Sequence, residues 1–124
     1  MQVREVMSRP VLVVAVGSTV RDAAAALAAH GLSDVPVVDE RDRFVGMLAE
    51  ADLVPDRLDG RRGATTVGPL VRTDAPTATP DGDLLGLVHR MREADVRVVP
   101  VLDGDRVAGI VTLADLLRVL GDVR

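Results

Sequence analysis

The chain carries one pattern twice. Val35-Pro36-Val37-Val38-Asp39 returns as Val99-Pro100-Val101-Leu102-Asp103, an offset of 64 set by Pro36 against Pro100. Downstream, Asp42-Arg43, Gly46 and Ala51-Asp52-Leu53 return as Asp105-Arg106, Gly109 and Ala114-Asp115-Leu116. The offset there is 63, because the second copy lacks one residue of the Glu40-Arg41 loop. Upstream, Val20, Ala23, Ala24 and Leu27 match Leu84, Leu87, Val88 and Met91, again at 64. Solenoid units repeat every ~20–50 residues, so a period this long points elsewhere. Two copies alone predict a pseudo-symmetric pair, with the function expected between them. At 124 residues the pair has the size of one domain and can bury about two thirds of its unfolded surface.

The side chains on offer narrow the chemistry. Nearly half the residues are apolar, yet Phe44 is the only aromatic, so the core is built from Val, Leu, Ala, Ile and Met. The net charge is −4, with mixed signs and no basic block. That argues against nucleic-acid binding, which needs clustered Lys and Arg to displace counterions, or exposed aromatics on which bases stack. Without cysteine there is neither a disulfide framework nor a thiolate metal site. Met1-Gln2-Val3-Arg4-Glu5 brings an early acid and no long apolar run, so it does not read as a signal peptide. No stretch approaches the ~18 apolar residues of a membrane span. The expected location is the cytoplasm, without membrane association.

Each copy reads as strand, helix, two strands, helix. In the first, Val11 to Val14 is a β-branched run, and Ser18-Thr19 opens a helix with Asp22 placed as in a capping box. Positions 20, 23, 24 and 27 form its apolar stripe, and Gly31 is a left-handed stop. Val35–Val38 and Phe44–Leu48 are strands joined by the polar turn Glu40-Arg41-Asp42, and Glu50 to about Val54 is a closing helix ended by Pro55. The second copy predicts a strand over Ala75–Ala78, weakened by Pro76 and Pro80, and a helix from Asp81 to about Ala94. Strands at Val98–Leu102 and Val107–Val111 and a helix over Leu113–Leu120 follow, with Asp103-Gly104-Asp105 as a tight hairpin turn. The division is residues 1–58, a linker over 59–66, and 67–124.

This β-α-β-β-α order, the Val-Pro-Val-hydrophobic-Asp strand, the following Gly-hydrophobic pair and a Thr-x-x-Asp opening the last helix resemble a CBS domain. Present twice, they resemble a tandem CBS pair, or Bateman module, over roughly Val3 to Gly121, and the size matches stand-alone bacterial CBS proteins. The resemblance implies an α/β (α+β) fold of two pseudo-symmetric repeats packed through their small sheets. It implies a non-catalytic regulatory module that binds an adenosyl ligand, AMP, ADP, ATP or S-adenosylmethionine, in clefts between the repeats, with Mg²⁺ as a candidate companion ion and no obligatory cofactor. It also implies homodimerisation through helix faces, signalling by changed repeat or dimer geometry, and an effector protein acting in trans.

The motif has two physical readings. Thr112-Leu113-Ala114-Asp115 lies where a strand hands over to a helix, whose first N–H groups suit a phosphate. Asp115 is placed to accept from ribose hydroxyls, and Thr112 to serve phosphate or sugar. Equally, Thr112 as N-cap and Asp115 three residues on form an ordinary cap that needs no ligand. In the first copy Ala49 replaces the threonine, so Asp52 stands without a hydroxyl. By the family pattern each cleft is shared. The cleft of Thr112, Asp115, Ile110 and Ala114 is completed by Met7, Pro10, Leu12, Leu32 and Ser33, with Arg97 on the phosphate path. The other combines Asp52, Ala49 and Met47 with Val71, Asp74, Pro76 and Val96, while Asp34 occupies its phosphate side. A carboxylate there repels phosphate unless a cation intervenes. The Thr112/Asp115 cleft is therefore the better nucleotide site, and the other is either empty or suited to a less negative ligand.

The remaining polar residues carry blander readings. His30 and His89 occupy non-equivalent positions and read as helix-surface residues rather than metal ligands. Ser8, Ser18 and Ser33 lack a His-Asp partner set, so no catalytic centre is predicted. Gly46 and Gly109 mark a close approach, either of a ligand base or of strand against helix. The competing functional class is a stress-related scaffold with vestigial clefts.

Overall fold

The computed structural model describes residues 1–9, 11–58 and 65–122; Pro10 and most of the expected linker lie outside it. Two compact units emerge, and neither is one of the sequence copies. A continuous unit spans Leu12–Asp74, and a discontinuous unit joins Met1–Val11 to Ala75–Arg124. The mixed α+β character expected from the repeat pattern is present in both.

In the continuous unit, β1 (Val14–Ala15) leads to α1 (Val20–His30), β2 (Asp34–Val38), β3 (Phe44–Ala49) and α2 (Glu50–Leu58). The sheet order is β1-β2-β3, with β1 parallel and β3 antiparallel to β2. α1 begins where Thr19 Oγ1 accepts from the Asp22 N–H at 3.1 Å and stops at Gly31, whose φ of 63° turns the chain left-handed. Val20, Ala23 and Leu27 bury its apolar stripe, as the 3–4 spacing requires.

Two expectations are corrected here. The first strand is shorter and later than Val11–Val14, because only Val14 and Ala15 pair with Val37 and Val38. Pro55 does not end α2, which runs to Leu58. A proline that far into a helix forfeits one backbone bond, and the turn that follows can still close.

In the discontinuous unit, α3 (Leu84–Ala94) precedes β4 (Val98–Asp103), β5 (Arg106–Thr112) and α4 (Leu113–Asp122). β4 and β5 form an antiparallel pair. The expected strand over Ala75–Ala78 reduces to a single parallel bridge between Ala78 and Val101, the counterpart of Val14 against Val37. Pro76 and Pro80 flank that bridge and offer no N–H to extend it. α3 starts three residues later than Asp81, because Asp83 is the side chain that caps it, accepting from the Gly86 N–H at 3.0 Å. Its far end turns on Asp95 at φ 54°, where the first copy has Gly31.

Pro36 and Pro100 sit fully buried inside β2 and β4. Pro100 is tolerated because Ala78 donates to the Pro100 carbonyl at 3.0 Å and accepts from Leu102 at 2.8 Å. The missing proline N–H is therefore never asked for.

The crossing segments explain the interleaving. Val3 donates to the Gly82 carbonyl at 3.0 Å, Arg4 to that of Pro80 at 2.9 Å, and Leu84 to that of Met1 at 3.0 Å. One copy later, Val67 donates to Ser18 at 2.9 Å and Val20 to Thr65 at 2.8 Å. Val3 and Val67, both wholly buried, are the apolar anchors of these segments. Each unit closes around its own aliphatic cluster, centred on Leu87, Val99, Val101 and Val111 in one and on Val20, Val35, Val37 and Leu48 in the other.

Candidate ligand-binding site

The strand-to-helix junction of the discontinuous unit holds Asp115, which is 4% exposed and the one buried charged residue among those described. The Thr112 N–H donates to its Oδ2 at 2.9 Å, while Thr112 Oγ1 accepts from the Asp115 N–H at 3.1 Å. This reciprocal pair is a capping box, so the cap reading of the motif is realised. Oδ2 also receives the Thr112 hydroxyl at 3.1 Å. Oδ1 receives Ser8 Oγ at 2.9 Å and the guanidinium of Arg118, a side chain 71% exposed. Four donors from three side chains and one amide thus hold a carboxylate that burial alone would disfavour.

Ser8 reaches Asp115 because its backbone pairs with β5. Its N–H donates to the Ile110 carbonyl at 2.8 Å, and its carbonyl accepts from the Ile110 N–H at 3.2 Å. Gly109 makes room: a Cβ there would stand 2.9 Å from Met7 Sδ and 3.1 Å from the Ser8 carbonyl oxygen. In the continuous unit the arrangement recurs with other side chains. Arg72 and Met47 exchange N–H···O bonds of 2.8 and 2.9 Å across β3. A Cβ on Gly46 would collide with the Arg72 carbonyl and stand 2.6 Å from Val71 Cγ1. Both glycines therefore admit a crossing backbone, which corrects the expectation of a ligand base or a packed helix.

Ser8 and Arg72 are 64 apart, the spacing of the repeat, and each bonds the aspartate of the closing helix in its own unit. Arg72 does so with two bonds, Nε to Oδ2 at 2.9 Å and an Nη to Oδ1 at 3.1 Å, on an Asp52 side chain 30% exposed. The Asp52 carboxylate raises the pKa of Arg72 above its ordinary value, chiefly through these bonds, and Asp34 and Asp74 add attraction. Neither Ser8 nor Arg72 was singled out for these roles from the sequence, although the offset of 64 pairs them. What hides them is that each must cross to the strand it serves.

The other expected site residues divide between the units. Met7, Arg97, Ile110, Ala114 and Val96 share the discontinuous unit with Thr112 and Asp115, as does Pro76. Leu12, Leu32 and Ser33 share the continuous unit with Asp52, Ala49, Met47, Asp34, Val71 and Asp74. Met7 and Val96 pack at the edge of one aliphatic cluster, and Leu12, Leu32 and Val71 at the edge of the other. Arg97 is exposed, and its carbonyl accepts from Leu113 at 3.0 Å, as Ser33 does from Glu50 at 2.8 Å. The Ser33 hydroxyl donates to Asp34 at 2.8 Å. His30 is exposed and bonds the Ala26 carbonyl at 2.9 Å along its own helix; His89 is exposed on α3. Among the described residues no group of three or more His, Cys, Asp or Glu stands ready for a metal ion, and no helix is long and apolar enough to cross a membrane.

The family model for the CBS domain matches residues 3–56 and again 67–122. The chain belongs to the CBS domain family. A CBS domain-containing protein of Bacillus subtilis, YhcV, is 30% identical over 115 residues, covering 92% of this chain and 81% of that one. Hypoxic response protein 1 of Mycobacterium tuberculosis is 31% identical over 117 residues, covering 93% and 82%. Among solved structures, the CBS domain pair of protein MJ0100, in complex with 5′-methylthioadenosine and S-adenosyl-L-methionine, superposes with a TM-score of 0.85 at 27% identity, covering 98% and 96%. CBS pairs are in general regulatory rather than catalytic modules. Some lie within larger enzymes: the chain spans 23% of the L-aspartate semialdehyde sulfurtransferase of Methanocaldococcus jannaschii, to which it is 27% identical.

Proposed function

We propose that this CBS pair is a non-catalytic regulatory module for an adenosyl ligand, an adenine nucleotide or S-adenosylmethionine, with Asp115 accepting from the ribose. The observation that carries the reading is the locked carboxylate. The capping box fixes Oδ2 to the helix, so Oδ1 keeps one position, bonded to Ser8 Oγ and to Arg118, a long and mostly exposed side chain. A hydrogen bond to a charged group is worth about 1.5–3 kcal/mol whether a guanidinium or a ribose hydroxyl supplies it. Arg118, mostly in solvent already, regains water when it leaves, so a ribose hydroxyl can take its place at little net cost. That the related MJ0100 pair holds two adenosyl compounds supports the same class of ligand here.

Isothermal titration with 5′-methylthioadenosine, S-adenosylmethionine, AMP and ATP tests it. At least one compound is expected to bind, and Asp115→Asn, which keeps the shape and loses the charge, is expected to weaken it about tenfold or more. A flat response to all four overturns the reading. One feature favours a second reading, a scaffold with vestigial sites: Asp115 and Asp52 are both fully partnered by the protein's own side chains.

The proposal includes a homodimer. Leu85, Leu117 and Leu120 on α3 and α4 are each more than 60% exposed, and with Met1 and Leu113 they rim an apolar groove of about 400 Å³. At roughly 100 Å² per large side chain they offer about 500 Å². That equals the apolar share of the ~800 Å² per partner that a stable interface buries. Leu117→Glu is expected to convert dimer to monomer in light scattering at unchanged circular dichroism.

A further inference from the structure

The two closing-helix aspartates are equivalent in sequence and unlike in setting. Asp115 is enclosed, and the crossing segment meets it with the neutral hydroxyl of Ser8 while Arg118 of its own helix supplies the cation; Asp52 is accessible, and the crossing segment itself brings the cationic fork of Arg72. Around Asp52 the continuous unit gathers further negative charge. Asp34 begins β2 opposite Ala49, and Asp74 follows Arg72 by two residues; both attract the guanidinium. Among the described residues the local account is three carboxylates against one arginine, whose backbone is bonded to Met47 of β3 in both directions.

We propose that Arg72 is an internal counter-ion that sets the charge of the ligand this unit accepts: it holds Asp52 in the free protein and yields it best to an adenosyl compound bearing a positive charge. The inference rests on the adenosyl reading above. A ribose that takes Asp52 replaces two N–H donors with two O–H donors and leaves the guanidinium to swing outward, since its side chain is already 58% exposed. Asp34 and Asp74 then lose the attraction of that cation. An anionic phosphate adds a fourth negative charge to that setting, an uncharged ligand adds nothing, and a sulfonium restores the balance. A bidentate arginine is the right residue for such a post, because its fork matches both carboxylate oxygens while its charge never titrates in the working range.

The test compares S-adenosylmethionine, cationic at sulfur, with 5′-methylthioadenosine, which shares its adenosyl group and carries no charge. Binding is measured by titration calorimetry in wild type, Arg72→Ala and Arg72→Lys, each with and without Asp52→Asn; the part lost with Asp52→Asn belongs to this unit. Removing Arg72 is expected to raise the affinity ratio of the cationic to the uncharged ligand about five- to tenfold, equivalent to about 1–1.4 kcal/mol, with Arg72→Lys in between. The rise is expected to vanish once Asp52 is Asn. A general loss of structure lowers both affinities and leaves the ratio unmoved, so the ratio isolates charge. If both ligands bind in an Asp52-dependent way and Arg72→Ala leaves the ratio as in wild type, the counter-ion proposal is overturned and the adenosyl reading stands. If no variant binds either compound, both fall together.

Discussion

Replacing Gly46 and Gly109 by alanine, one at a time, separates a backbone obstruction from a side-chain one. An alanine at 46 drives its methyl into the Arg72 carbonyl and to within 2.6 Å of Val71 Cγ1. The oxygen belongs to a backbone bonded to Met47 in both directions, at 2.8 and 2.9 Å. Relief requires that both bonds lengthen or break, at about 1 kcal/mol each, with about 1 kcal/mol more for displaced packing. The expected cost is about 3 kcal/mol. At 109 the nearest atom is Met7 Sδ at 2.9 Å, and the Ser8 carbonyl oxygen stands back at 3.1 Å, level with Met7 Cγ. Methionine is the most adaptable of apolar side chains and can turn aside, so about 1 kcal/mol is expected. Urea unfolding measures both directly, and at roughly 4 °C per kcal/mol for a chain of this size the melting shifts are about 12 °C and 4 °C. Equal effects at the two glycines, or an alanine at 46 that melts within about 2 °C of wild type, would refute the close-approach argument.

Two further outcomes concern turns. Asp95 ends α3 at φ 54°, a conformation that strains any side chain and that Gly31 adopts freely in the first copy; Asp95→Gly is expected to stabilise by about 0.5–1 kcal/mol, and a loss in chemical denaturation refutes the strain argument. Asp39 accepts from the Arg43 and Arg41 N–H groups and from Arg43 Nε, which together hold its pKa below the ordinary value of 3.8, the Arg43 amide contributing most. A depressed carboxylate stabilises the fold above that ordinary value and loses its contribution as pH falls through the lower folded one, so Asp39→Asn is expected to lower the plateau above about pH 4 and to flatten the fall in stability below it. An unchanged acid limb in urea titrations refutes it.

Elements with local punctuation were legible in the sequence, and those that depend on distant partners were not. α1 was readable at both ends because Thr19, Asp22 and Gly31 act within a turn of where they stand. The start of α3 is not legible, because Asp81 and Asp83 are chemically equivalent candidates and only the Gly86 N–H decides between them. The strand expected at Ala75–Ala78 shrank to one bridge because its flanking prolines cannot donate. The Thr112–Asp115 cap was visible as a motif. Its cover by Ser8, 107 residues away in sequence, and the clamp of Arg72 on Asp52 required knowing which segment crosses to which strand. The interleaving of the units was invisible for the same reason, since no local preference records that Val3 anchors beside Leu87 and Val99.

That interleaving constrains synthesis and engineering alike. As the chain leaves the ribosome, Leu12–Asp74 can complete itself at once, while the first eleven residues must wait for Ala75 and everything after it before they find their partners. A gene cut at the junction of the two copies would therefore yield no self-sufficient half: each product would carry one orphaned valine anchor and lack the one its own cluster needs. A circular permutant opened near residue 75 would instead make the waiting segment contiguous with its host, turning the last part to assemble into one that folds as it emerges.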